Sequence, residues 1–463
     1  MEDGAAMRPG HLWIATLLLL PMAGAPLLAH PAFASLTRVS RVALSAAVGA
    51  VLVSTAMTLA ALVSIPWSVP GVAAAAAVAA ALLRFALKAD PADERTPEGV
   101  SGDPGAAGAV PRAFPLLCAL SAAAAVAIAL DASATGAAAS VDLVLFWGPK
   151  AQAFAAARTI DRAFLAAPAL EYMNRSYPPL VTNLGAFATM TAGRFPWGAA
   201  VMMFPLLLAL LTLGLPGLLR RAGSGSAGSA ASALSVAALA YLGIRFEVGG
   251  NGDMPLWLFE ALAAASLAGP LGRDGSMPLL SGLLLAGAAT SKVEGLPFAA
   301  AALALFFAAR WRQLNARRVL LLVAPPAIAL GSWFWFGASR GLFTGYRGFG
   351  RLFDVQVERL PAILSTLGAV LRSSAGGLPF LLPLLFVLIA APRLRAAAVP
   401  AGTAAALVLF FVFTYLHGGL DPKEWILWTA GRIFAPVGFL LAIAGASGHE
   451  SPSNFPHSRP SRR

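Results

Sequence analysis

Residues 42–83 read VALSAAVGAVLVSTAMTLAALVSIPWSVPGVAAAAAVAAALL, without a single Asp, Glu, Lys or Arg. A helix needs roughly 20 consecutive apolar residues to cross about 30 Å of hydrocarbon. This run is long enough for two helices, and Pro66-Trp67-Ser68-Val69-Pro70 supplies the turn between them. Four further runs are equally free of charge: Phe195–Leu219, Ala222–Ile244, Val319–Ser339 and Ala396–Leu416. They are continuously apolar, whereas the strands of a membrane barrel alternate over segments of about 10 residues. Helices are therefore expected. The first span opens on the acidic Met1-Glu2-Asp3-Gly4, where a signal peptide would be basic, so it reads as a retained helix.

Composition agrees. Of 463 residues, 58% are hydrophobic and 12% charged, and the mean hydropathy is +0.76, which excludes a soluble globular domain. The net charge of +12 would suggest nucleic acid in a soluble protein. In a membrane chain it reads as basic loops that set topology, with no nucleic-acid partner. The single cysteine, Cys118, excludes a disulfide framework and a cysteine zinc site. The abundance of Ala, Gly, Pro and Arg suggests a GC-rich bacterial genome and hence a bacterial inner (plasma) membrane.

Helices are expected near 11–31, 42–65, 71–88, 114–131, 198–219, 229–245, 254–271, 277–291, 295–309, 319–337, 376–391, 397–416 and 428–446. The fold class is thus all-α, a polytopic bundle of about 11–13 spans with interfacial helices in a large outer loop. Residues 1–113 read as N-terminal helices plus a disordered cytoplasmic loop (89–113), 114–446 as the core, and 447–463 as a disordered tail. Basic clusters mark the cytoplasmic loops: Arg38/Arg41, Arg220/Arg221, Arg310-Trp311-Arg312 with Arg317/Arg318, Arg393/Arg395 and Arg459/Arg462/Arg463. All fall on one side only if 178–193 lies along the outer interface without crossing. The outer loops are then 132–197, 246–253, the hinge near 292–294, 338–375 and 417–427.

Polar residues at membrane depth are costly and therefore candidates for function. Asp142 opens the long outer loop, followed by Trp147 and Lys150. It is placed to deprotonate an acceptor hydroxyl, or else to cap an interfacial helix with Trp147 as a belt anchor. Arg175 and Tyr177 follow, as phosphate-binding groups or as interfacial anchors. Arg245, Glu247 and Asp253 share a short outer turn. Glu247 and Asp253 under-ligate a divalent cation as read, so no metal and no other cofactor is expected. In Thr290-Ser291-Lys292-Val293-Glu294-Gly295 two charges sit between short apolar segments, which suggests a broken hairpin reaching a polar cavity. His417 reads as interfacial. No Walker loop, dinucleotide fingerprint or metalloprotease histidine pair occurs.

In order, these elements are Trp147-Gly148-Pro149-Lys150-Ala151, Tyr177-Pro178-Pro179-Leu180, Asp253-Met254-Pro255-Leu256 and the hinge Thr290 to Gly295. The series resembles the C-type (GT-C) membrane glycosyltransferases, which include the protein mannosyltransferases and aminoarabinose transferases. The likeness covers roughly residues 130–310. It implies a polyprenyl-phosphate sugar donor, a glycan, lipid or protein acceptor, and transfer with inversion on the periplasmic or extracellular face. It makes Asp142 the catalytic carboxylate. Lys150, Arg175, Tyr177, Arg245, Glu247, Asp253, Lys292 and Glu294 become substrate-binding residues. Asp142 is followed by Leu143, so the paired acidic motif of many relatives is absent. A transporter or lipid flippase is the alternative, because charges lie within a polytopic bundle. The lack of an internal repeat speaks against it.

Overall fold

The computed structural model describes residues 8–87, 113–135, 140–173, 175–225, 228–236, 252–269, 275–342, 354–372, 394–417 and 420–447. All regular structure among them is helical. Among the described residues, seven helical segments are long and apolar enough to cross a membrane: Pro9–Leu28, Arg38–Leu62, Val69–Ala86, Trp197–Arg221, Ala316–Ser339, Ala397–His417 and Pro422–Ser447. The protein is an all-α, multi-pass membrane helix bundle. Large apolar side chains such as Leu82, Phe85, Leu116 and Leu120 are exposed on outward faces, where a bilayer covers them at no cost.

The chain starts with α1 (Pro9–Leu17), α2 (Leu19–Leu28), α3 (Arg38–Leu62), α4 (Val69–Ala86) and α5 (Ala113–Thr135). Short helices follow: α6 (Gly148–Ala157), α7 (Arg162–Ala166), α8 (Leu180–Ala192) and α9 (Trp197–Val201). Then come α10 (Met203–Arg221), α11 (Asp253–Ala268), α12 (Ser276–Ser291), α13 (Gly295–Arg310) and α14 (Ala316–Ser339). The last are α15 (Leu360–Arg372), α16 (Leu394–His417), α17 (Pro422–Ile433) and α18 (Ala435–Ser447).

Between membrane helices, lipid is as apolar as leucine, so close backbone approach replaces the hydrophobic drive. The α2–α3 crossing uses this. A Cβ on Gly24 would overlap the Ser45 carbonyl, and one on Gly49 the Leu20 carbonyl. α3 is buried over most of its length and packs against α8, α10, α12 and α14. The N-terminal helices are therefore continuous with the core in space.

The arginine-rich helix ends gather at one end of the bundle. Arg221 bonds the Ala32 carbonyl and Ser35, Arg310 the Ala268 carbonyl, and Arg317 the Ala86 carbonyl. α8 stays at the opposite end. Asn183 Nδ2 donates to the Ser54 carbonyl and Thr58 Oγ1, both at 3.1 Å, and Trp13 Nε1 donates to Thr189 Oγ1. Of its 13 residues, the ten from Leu180 to Thr189 are buried, so the segment read as interfacial is enclosed by protein. Those buried polar partners explain why: the Asn183 amide nitrogen, Trp13 Nε1 and the Thr189 hydroxyl, which donates to the Gly185 carbonyl, all find acceptors inside the bundle. The segments 89–112, 237–251, 343–353, 376–391 and 448–463, with Arg245 and Glu247, lie outside the described residues. Only 229–236 of the helix expected at 229–245 is described.

Candidate functional site

The site is built where α11, the break between α12 and α13, the end of α17 and the segment 140–179 meet. α12 ends at Ser291, Lys292 is extended (φ −153°), and α13 resumes at Gly295. The break frees backbone groups and turns Lys292 toward the start of α11. Its Nζ lies 2.7 Å from Asp253 Oδ1 and 3.4 Å from Glu294 Oε1. Arg432 Nη1, in the last turn of α17, lies 3.8 Å from Asp253 Oδ2. Asp253 occupies the first turn of α11, where the helix dipole favours a carboxylate. Lys292 and Asp253 are both buried, and removing either would leave the other's buried charge without its closest opposite charge.

The second half of the site is aromatic. Asp142–Trp147 forms a π-helical turn that passes directly into α6, a geometry frequent at functional sites. Within it the amide of Leu143 donates to Ser140 Oγ, and Asp142 is half-buried. The Trp147 and Tyr177 rings lie 5.5 Å apart. Lys150 Nζ sits 5.7 Å from the Trp147 ring and 5.9 Å from the Tyr177 ring, close enough for attraction between cation and ring face. Gly252 joins the two halves: a Cβ there would come within 2.8 Å of the Trp147 ring, so glycine lets α11 begin against it. Tyr177 feels both halves. Its hydroxyl is held above the ordinary range by burial first, then by Glu294, with Asp142 and Asp253 adding to the effect and Lys292 opposing it.

Lys150 is buried, and burial pushes its ammonium down to about 7 from the ordinary 10.5. Between those values the unfolded chain holds a proton that the folded protein lacks, so this group makes stability rise with pH across that window. Below about 7 the folded state carries the buried charge, offset in part by the two ring faces. Unfolding of the detergent-solubilised protein should therefore gain up to about 1.4 kcal/mol per pH unit from this group between pH 7.5 and 9.5. Lys150→Met should abolish that increment and raise stability at pH 7. Identical pH dependence in the two proteins would contradict the assignment.

Of the residues singled out from sequence, the structure brings Asp142, Lys150, Tyr177, Asp253, Lys292 and Glu294 to one end of the bundle. Arg175 lies half-buried in the turn before Tyr177, with no ion pair to the cluster among the described residues. Two further residues join. Arg432 was visible in the sequence but carried no assigned role. Glu260 was not singled out; it is buried in α11, with one oxygen lacking a hydrogen-bond partner among the described residues and within electrostatic range of Glu294, Asp253 and Lys292. The signal for it exists: it is the sole charged residue from Met254 to Gly272, and it follows Asp253 by two helical turns on the same face. Among the described residues no three His, Cys, Asp or Glu side chains cluster as a metal site. His417 ends α16 with Nδ1 2.7 Å from the Phe413 carbonyl.

No family model, curated protein or solved structure matches the chain.

Proposed function

We propose that the protein is a membrane glycosyltransferase that moves a sugar from a polyprenyl phosphate to an envelope glycan, lipid or protein. The observation that carries this reading is the meeting of Asp142, Tyr177, Asp253, Lys292, Glu294 and Arg432 at the end opposite the arginine-rich helix termini. By the positive-inside rule the arginine-rich end is cytoplasmic, so the site faces outward. Asp142 takes the proton as the acceptor oxygen attacks the anomeric carbon. The bond from that carbon to the phosphate oxygen breaks, and polyprenyl phosphate leaves with the electron pair. Lys292 and Arg432 offset the charge that develops on the phosphate, in a site from which water is largely excluded. Support for a lipid-linked donor comes from an apolar cavity of about 190 Å³ bounded by Leu17, Leu180, Leu184, Leu210, Pro255 and Leu258. Pro255 and Leu180 lie two and three residues from Asp253 and Tyr177, so the cavity adjoins the polar cluster.

Transport is the second reading, and Glu260 is the observation in its favour, because carboxyls buried in membrane helices mark proton relays and ion paths. A strain lacking the gene separates the two. Mass spectrometry of its lipid-linked sugars and envelope glycans should show a polyprenyl-phosphate sugar accumulating and one glycan short of a residue, both reversed by the wild-type gene. Unchanged glycans, together with labelling of Lys292→Cys from both membrane faces, would overturn the transferase in favour of transport.

A further inference from the structure

A second cavity lies far from this site, toward the arginine-rich end. It is enclosed by α3, α5, α10 and the helical stretch 228–236, and measures about 520 Å³. Ala119, Ala123 and Val126 of α5 form one wall, and Ser40, Arg220 and Ser229 are among the polar residues that line it. Among the described residues no carboxylate lines it.

Three observations point to an occupant. First, α5 is loosely held: Leu116, Leu117 and Leu120 are more than half exposed, so its outer face and the adjoining cleft open to the acyl region of a bilayer. Second, two adjacent arginines are used differently. Arg221 is bound to the Ala32 carbonyl and Ser35. Arg220 donates through Nε to the Pro216 carbonyl of its own helix, which leaves its terminal amino groups for the cavity. Third, Ser229 is 1% exposed and its hydroxyl has no hydrogen-bond partner among the described residues. A buried hydroxyl left unsatisfied is costly and calls for a missing acceptor. An apolar wall, a guanidinium and an orphan hydroxyl without an opposing carboxylate match a phosphodiester carrying hydrocarbon.

We propose that this cleft binds one anionic glycerophospholipid from the leaflet at the arginine-rich end. Its head-group phosphate meets Arg220 and Ser229, and an acyl chain runs along Ala119, Ala123 and Val126. The arginine supplies the preference for anionic over zwitterionic lipid, as basic residues at a membrane surface do. The bound lipid would close the gap between α5 and α10. The inference stands independently of the transfer reaction, because none of these residues belongs to the site described above.

Native mass spectrometry of the full chain in detergent tests it, with phosphatidylglycerol and phosphatidylethanolamine added in equal amounts. The wild type should retain one phosphatidylglycerol in clear preference. Arg220→Gln with Ser229→Val should weaken that retention about tenfold, the scale of losing charge-assisted hydrogen bonds. Ala123→Trp, at a half-open wall position, should exclude either lipid and guards against a polar variant that fails to fold. Equal retention of the two lipids by the wild type, or unchanged retention in the polar variant, would overturn the proposal, as would retention of phosphatidylglycerol by Ala123→Trp at the wild-type level.

Discussion

Lys292→Met is expected to destabilise the bundle by about 3–5 kcal/mol, because it leaves Asp253 and Glu294 without their nearest cation in a buried site. Lys292 contacts Asp253 at 2.7 Å and Glu294 at 3.4 Å, and Arg432 at 3.8 Å only partly replaces it. The loss should be largely reversed in Lys292→Met with Asp253→Asn, since the second change removes the charge the first one strands. Glu294 stays half-exposed and tolerates its own charge. Equilibrium unfolding of the two single variants and the double variant gives the coupling directly. Additive losses would show that the pair is not a unit and that α11 and the break are held by packing alone.

Asp142→Asn is expected to leave stability within about 0.5 kcal/mol while lowering sugar transfer by about 10²–10⁴-fold, the span ascribed to general acid–base catalysis. The stability half follows from its setting. The neighbouring Leu143 amide is already held by Ser140 Oγ, and Asp142 is half-buried. The activity half follows from its place within electrostatic range of Tyr177, whose protonated hydroxyl it helps to favour. Asp142→Glu keeps the carboxylate and should retain part of the rate. An Asn variant that transfers normally would reduce Asp142 to a structural residue of the π-helical turn.

The helical class is legible because hydrocarbon imposes one demand on every span, and runs such as Phe195–Leu219 meet it without a charge. The break at Lys292 is legible for the converse reason: charge inside apolar sequence needs a polar destination. What sequence does not reveal is adjacency. Nothing in the order of residues says that Arg432 lies against Asp253; that depends on which helices pack together, and packing here turns on small residues such as Gly24 and Gly49. α8 shows the same limit. Charge parity argues against its crossing, but its burial rests on Asn183 finding Ser54 and Thr58, a long-range match. Glu260 escaped because a single carboxylate does not disturb an apolar run, although its spacing from Asp253 places both on one helix face.

The most direct test of the transferase reading is transfer itself. Purified wild type and Asp142→Asn would each be added to membranes of the deletion strain, which contain the acceptor. The labelled polyprenyl-phosphate sugar identified in that strain would serve as donor. The account predicts label in the envelope glycan and stoichiometric release of polyprenyl phosphate with the wild type, and neither with the variant. Donor left intact by the wild type, or equal transfer by both proteins, would contradict it.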